Sequence, residues 1–241
     1  MSPVLPDPPG PPAPPDRASL VAALIPAYNE AGPIGAVARA IRRYADTVLV
    51  VDDGSSDGTA EVARAAGAEV VSHPARRGKG VAIRTGLARL SGRGHRYVLM
   101  LDADGQHDPA EIPSFLTAFE ATGAELIIGR RDFATMPLVR RLSNMLGGWI
   151  FSMAVGRRVA DNQSGYRLIG RTLLAALLDS TESGFEFEVE MIARCIALDL
   201  PIADVPIRTI YAGEPIHIQP WRHFTEFLRV TRAARRIVKG G

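Results

Sequence analysis

The chain has 241 residues, 46% of them hydrophobic and 22% charged, which fits one domain of generous size and excludes wholesale disorder. Its 28 Lys and Arg are nearly cancelled by 26 Asp and Glu, leaving a formal charge of +2, a balance that argues against a dedicated nucleic-acid binder. The single cysteine, Cys195, excludes an internal disulfide. No Cys/His cluster has zinc-ligand spacing, and Cys195 lies in an apolar helical pattern that marks a buried structural thiol.

Residues 1–17 are proline-dominated, from Pro3 to Pro15, and are expected to form a solvated, extended tail. No basic region precedes an apolar stretch here, so no signal peptide is read and a cytoplasmic setting is the default. Leu20–Ile25 is predicted as a first strand ended by Pro26. Ile34, Val37, Ala38 and Ile41 then recur at helical spacing. Further strands are predicted at Thr47–Val51, Glu69–Val71, Tyr97–Leu101 and Leu126–Ile128. Helices are predicted around 60–66, over 79–90, and after Asp108-Pro109-Ala110-Glu111, which has the look of a capping box with proline at the first helical position. Strands alternating with helices imply an α/β domain over residues 18–212, with a mostly parallel sheet covered on both faces.

In such sheets ligands bind outside the carboxyl ends of the strands. Three polar clusters stand there: Pro26-Ala27-Tyr28-Asn29-Glu30, Asp52-Asp53-Gly54-Ser55-Ser56-Asp57 and Asp102-Ala103-Asp104-Gly105-Gln106. On an extended segment Asp102 and Asp104 point the same way, and hard oxygen ligands suit Mg2+ or Mn2+ when a diphosphate completes the shell. Gln106 continues the parity and can add a neutral oxygen to the metal or orient a bound water. A solvated acidic turn is the plain alternative. An EF-hand fails because His107 stands where glycine is needed and Pro113 where glutamate is. A dehalogenase-like nucleophile loop fails because Gln106 replaces its threonine. Asp52 and Asp53 can hydrogen-bond a nucleobase or ribose, while Ser55, Ser56 and Asp57 can equally cap a helix. In Arg77-Gly78-Lys79-Gly80, Lys79 can reach a phosphate at a helix start, but the turn is too short for a P-loop.

Together Ile25–Glu30, Val50–Thr59, Arg77–Gly80 and Asp102–Pro109 resemble the family-2 glycosyltransferases with a GT-A fold. Gly129–Arg131, Asp161–Arg167 and Gly184–Glu190 resemble their polyprenyl-phosphate sugar synthase branch, typified by dolichyl-phosphate mannosyltransferases. The resemblance runs from Leu20 to the C-terminus. It implies that Pro26, Tyr28, Glu30, Asp52, Asp53 and Lys79 border the nucleotide. Asp102, Ala103, Asp104 and Gln106 match the metal and sugar-diphosphate segment. It further implies Arg131, Arg140 and Ser143 at the acceptor phosphate, Gln163, Ser164 and Arg167 closing over the donor, and an acidic helix bearing Glu186, Glu188 and Glu190. The expected reaction is inverting transfer of a hexose from GDP-mannose or UDP-glucose to a polyprenyl or dolichyl phosphate, assisted by Mg2+ or Mn2+. Asp104 and Arg131 would carry it, with Asp161 or Glu188 as base if the acceptor were a hydroxyl. A soluble or glycan hydroxyl acceptor, or a catalytically silent nucleotide-sugar-binding subunit, are the alternatives.

No segment reaches the ~20 apolar residues a membrane span requires. Leu142–Val155 comes nearest and is flanked by Arg140, Arg141, Arg157 and Arg158, which suits a core helix or an interfacial one. Residues 213–241 form a basic segment. Between Trp221 and Lys239, Arg222, Arg229, Arg232, Arg235, Arg236 and Lys239 oppose Glu226 alone. Peripheral docking at the cytoplasmic membrane face, on the lipid surface or a small membrane-protein partner, is the expectation; a packed helix with a solvated basic face is the alternative.

Overall fold

A computed structural model describes residues 21–133, 138–180, 186–208 and 220–240. The proline-rich segment, Gly184 and Phe185, and the side chains of Arg140, Glu186 and Trp221–Glu226 lie outside the described residues. Seven strands form one sheet: β1 (Val21–Ala27), β2 (Thr47–Asp52), β3 (Glu69–Ser72), β4 (Tyr97–Met100), β5 (Leu126–Arg131), β6 (Arg167–Gly170) and β7 (Ile202–Ile207). Their order is β3-β2-β1-β4-β6-β5-β7. Only β6 runs antiparallel to its neighbours β4 and β5. All the other carboxyl ends therefore meet on one edge, joined there by the amino end of β6, where Met100 pairs with Arg167.

The period of two along β1 decides which layer each residue serves. Val21, Ala23, Ile25 and Ala27 face one apolar cluster, and Ala22 and Leu24 face the other. The first cluster is closed by α1 (Ile34–Ile41), α2 (Thr59–Ala65) and α4 (Ile112–Thr122). The second is closed by α3 (Lys79–Leu90), α5 (Leu138–Val155), α6 (Arg171–Leu177), α7 (Glu186–Ala197) and α8 (Pro220–Gly240). Helix α8 is part of this layer, since Val230 and Ala234 are buried in it. The Cys195 thiol is buried there too, and burial pushes it up to about 12.

Three expectations change. Pro26 lies inside β1, opposite Val51 of β2, and does not end it. The β1–β4 pairing extends only to Leu24 opposite Met100, so the missing N–H of Pro26 costs no bond on that side. Strand β5 continues to Arg131 because β7 pairs with it along its full length. The Asp108 turn is also simpler than a capping box: Asp108 Oδ1 accepts from Ala110 N at 2.9 Å and starts a 3-10 turn, Pro109–Glu111, ahead of α4.

Candidate active site

The cleft opens at the carboxyl edge of β1, β2 and β4. It is a cavity of about 310 Å³ lined by Pro26, Tyr28, Glu30, Asp53, Arg76, Lys79, Asp102, Ala103 and Asp104, among others. Its left wall is the segment after β1, which the residues after β2 clamp in place. Asn29 N donates to Ser55 Oγ (2.9 Å), Glu30 N to Thr59 Oγ1 (2.8 Å) and Ala31 N to Asp57 Oδ2 (3.0 Å). Most of Gly54–Thr59 is therefore spent on holding that wall. Tyr28, about a third exposed, carries the Arg76 guanidinium 4.3 Å above its ring. Sequence reasoning missed Arg76; the signal was its place just before the Arg77-Gly78-Lys79 turn.

Asp53 lines the cavity, but its carboxylate already accepts from Arg77 N (2.9 Å) and Gly78 N (2.7 Å) and bonds His73 Nδ1 (2.7 Å). Asp53 thus pins the turn that launches α3. The turn passes so close that a Cβ on Gly54, at φ +76°, would sit 2.6 Å from the Ala75 carbonyl carbon. Asp52, in contrast, is buried, is not among the residues lining the cavity, and accepts from Ser55 N at 3.1 Å.

Helix α3 begins with Lys79, and its ammonium bridges two carboxylates: Asp102 Oδ1 at 2.6 Å and Glu188 Oε1 at 3.0 Å. Burial works against the Lys79 charge, but Glu188 and Asp102 outweigh it and hold the ammonium above the usual lysine range. Burial likewise works against ionisation of Asp102, yet Lys79 keeps the carboxyl below its ordinary value. Glu188 is 1% exposed, and its Oε1 has ion-pair contact with Lys79 but no aligned hydrogen-bond donor.

Asp102 stands just beyond the end of β4 and Asp104 in the turn that follows, not on the extended strand the sequence implied. Both still line the cleft. Asp104 Oδ1 accepts from Gln106 N at 2.9 Å, while the Gln106 side chain is not among the lining groups. The loop is braced from behind by His107, whose Nδ1 accepts from Asp102 N at 3.2 Å and whose ring stacks on Tyr166 at 5.0 Å. Gly165 lets the Asp102 carboxylate approach, since a Cβ there would lie 2.6 Å from Oδ2.

Arg131 ends β5 in a bidentate pair with Asp161, Nε to Oδ2 at 2.7 Å and Nη2 to Oδ1 at 2.9 Å. Arg167 departs from its expected role. It is fully buried, and its guanidinium donates to the carbonyls of Asn162 (3.2 Å), Ser164 (2.8 Å) and Glu188 (2.5 Å). From there it ties the 161–165 loop to α7, while Glu188, Asp161 and Asp102 surround its charge. Ser164 is also buried, with its Oγ unpartnered, and Gln163 is half-buried. Glu190 points away from the cleft, to Ser180 Oγ (2.5 Å) and Arg194 Nε (2.6 Å). Ser143 lies exposed on α5.

Comparison with known proteins identifies this arrangement. The undecaprenyl-phosphate mannosyltransferase of Micrococcus luteus is 33% identical over 204 residues, which cover 78% of this chain and 82% of that protein. The UDP-N-acetylglucosamine–dolichyl-phosphate N-acetylglucosaminyltransferase of Methanococcus voltae is 29% identical over 216 residues, covering 80% and 86%. Among solved structures, glucosyl-3-phosphoglycerate synthase from Mycobacterium tuberculosis in complex with UDP superposes with a TM-score of 0.68 at 25% identity, covering 91% of this chain and 80% of that one. The sequence pattern described as Glycosyl transferase family 2 matches residues 22–175, so the chain belongs to that family and is a glycosyltransferase of GT-A fold.

Proposed function

We propose that the protein transfers a hexose, with inversion, from a nucleotide sugar such as GDP-mannose or UDP-glucose to a polyprenyl phosphate. One observation carries this reading: the two carboxylates that the sequence offers as general base, Asp161 and Glu188, are both paired with cations. Asp161 is bound through both oxygens by Arg131, and Glu188 is paired with Lys79. A sugar-hydroxyl acceptor needs a base to take its proton, whereas a phosphate acceptor arrives ionised. The names of the Micrococcus and Methanococcus relatives, both of which include a polyprenyl-type phosphate, point the same way.

The donor's base would rest beside Tyr28 and Arg76, its diphosphate near Lys79, and the hexose toward Arg131. An acceptor phosphate oxygen forms the new bond at the anomeric carbon as the bond to the donor diphosphate breaks on the opposite face. Lys79 then balances the charge growing on the leaving group, and Arg131, oriented by Asp161, meets the acceptor phosphate. Among the described residues no three His, Cys, Asp or Glu side chains group as a complete metal cage. Asp102 and Asp104 nevertheless supply two hard oxygen donors on the cleft, which fits a Mg2+ or Mn2+ site that the diphosphate completes. Such an ion would act as a Lewis acid on the diphosphate; one solved structure of the Mycobacterium tuberculosis synthase contains Mn2+ with UDP-glucose.

A matrix of GDP-mannose, UDP-glucose and UDP-N-acetylglucosamine against a polyprenyl phosphate, 3-phosphoglycerate and simple sugars tests the reading. Transfer to the lipid phosphate is expected. Turnover with hydroxyl acceptors alone would overturn it.

A further inference from the structure

We propose that the outer face of α5, with the basic face of α8 packed beside it, docks the domain on an anionic lipid bilayer. Five large apolar side chains of α5 stand in water: Leu142 (57% exposed), Met145 (50%), Leu146 (57%), Trp149 (63%) and Met153 (67%). Their spacing places all five on one helical face. The opposite face is the one in the core, with Phe151 and Val155 buried and Gly147 set against the Phe227 ring of α8. Scattered apolar residues on a surface need no account, but a continuous stripe this long marks a contact surface.

The charges around the stripe decide its occupant. From Leu138 to Arg158 there is no acidic residue, and Arg141 and Arg158 lie exposed at its two ends. Helix α8, packed against α5, buries Val230, Thr231 and Ala234 and exposes Arg229, Arg232, Arg235, Arg236 and Lys239 on its other side. No acidic residue occurs from Phe227 to Gly241. A second copy laid on this surface would set cations against cations. An anionic bilayer meets both features, the stripe entering the interface while the arginines reach lipid phosphates. No described helix is long and apolar enough to cross a membrane, so α5 would lie in the interfacial plane.

The inner side of α5 touches the site. Val159 N donates to Ser152 Oγ at 3.1 Å, and Gly147 abuts the Gln163 amide. The helix on the bilayer would thus be the one against the loop that carries Asp161. The inference deepens the lipid-phosphate reading by naming the surface that brings the acceptor to the cleft, but its test is independent of that reading.

The test uses the full chain and vesicles of phosphatidylcholine, with or without phosphatidylglycerol, containing no polyprenyl phosphate. The protein is expected to co-sediment with the anionic vesicles, less so at high salt. Leu146→Glu/Trp149→Glu should lower the partition coefficient at least about tenfold. Replacing Arg232, Arg236 and Lys239 by Gln should lower it by about fivefold per charge and remove most of the salt dependence. Both variants should keep wild-type circular dichroism and wild-type transfer to a short, water-soluble acceptor. Equal sedimentation of the wild type with both vesicle types, or no loss in the glutamate variant, overturns the proposal. So does a wild-type dimer that the glutamate variant converts to monomer without any vesicle binding, which would give the face to a second copy. Vesicle binding without transfer to any lipid phosphate would refute the acceptor assignment and leave the docking surface standing.

Discussion

Replacing Asp161 by Asn separates a base from a positioning group. The change keeps the side chain's shape but removes the charge that meets Arg131 at 2.7 and 2.9 Å. The carboxylate is 1% exposed and the guanidinium 14%, so water restores little of what is lost. A hydrogen bond to a charged group contributes ~1.5–3 kcal/mol. Asn retains one acceptor oxygen for Arg131 and forfeits the other bond, so stability should fall by about 2–3 kcal/mol. That is below the ~3–5 kcal/mol expected when a buried charge is left wholly unpaired. The assay is urea unfolding of Asp161→Asn, Arg131→Met and the double variant, with transfer rates across pH for each. If Asp161 acts only through Arg131, the two single changes should lower transfer similarly and the double should be little worse. Their stabilities should couple by about 1–2 kcal/mol, and the acid limb of the wild-type pH–rate profile should persist in Asp161→Asn. Stability losses that add within about 0.5 kcal/mol, or an acid limb that vanishes in Asp161→Asn, would refute the reasoning and return Asp161 to the role of general base.

Asp104→Asn keeps the acceptor for Gln106 N, so melting should be unchanged within about 0.5 kcal/mol while divalent-dependent transfer is abolished; full activity would remove Asp104 from the metal site. Burial lowers the His107 pKa below its ordinary 6.5, and its neutral ring accepts from Asp102 N. Stability from this group is therefore complete above pH 6.5 and declines as pH falls toward the folded-state pKa; His107→Gln should flatten that part of an unfolding-versus-pH curve, and an unaltered slope would refute it. Cys195, its thiol raised to about 12 by burial, should resist a thiol-disulfide reagent at pH 8 in the native protein and react once urea unfolds the domain. Rapid labelling without unfolding would contradict its place in the core.

The first five strands were legible because apolar runs such as Thr47–Val51 and Tyr97–Leu101 end in polar clusters that no core strand would hold. β6 and β7 were not. Arg167 opens β6 with a buried cation, and β7 reads Ile202-Ala203-Asp204-Val205-Pro206-Ile207, with an acid and a proline that an isolated run would not tolerate. Both survive because of what surrounds them: Arg167 is satisfied by two carbonyls of the loop just before it and one of α7, and β7 lies at the sheet edge, where proline is permitted. The same difference explains the site. Motif position placed Asp102, Asp104 and Lys79 at one edge, because strand ends converge whatever the loops do. It could not separate groups that face the cleft from groups that hold the wall. Asp53, Arg167 and Glu190 are acid and base by composition, yet their partners are backbone amides, carbonyls and the half-buried Arg194.

Charge at the cleft also bears on why a cation should be needed there. Glu30, Asp53, Asp102 and Asp104 line it against Arg76 and Lys79, so the walls carry an excess of negative charge before any donor enters. Lys79 cannot redress this, since Asp102 and Glu188 already share its ammonium. Two like charges about 4 Å apart repel by about 4 kcal/mol at an effective dielectric constant of 20, so a diphosphate approaching Asp102 and Asp104 would be opposed by several such contributions. A divalent ion held by Asp102 and Asp104 would offset these repulsions with its own attraction to both sides, and it would compete with Lys79 for the Asp102 carboxylate. Asp104→Asn thus has two effects of opposite sign. It should tighten metal-free nucleotide binding, by up to about tenfold for 1.4 kcal/mol of relieved repulsion, while it abolishes the gain on adding Mn2+. Weaker metal-free binding in that variant would mean that Asp104 contacts the donor directly, and the electrostatic case for the cation would then rest on Asp102 alone.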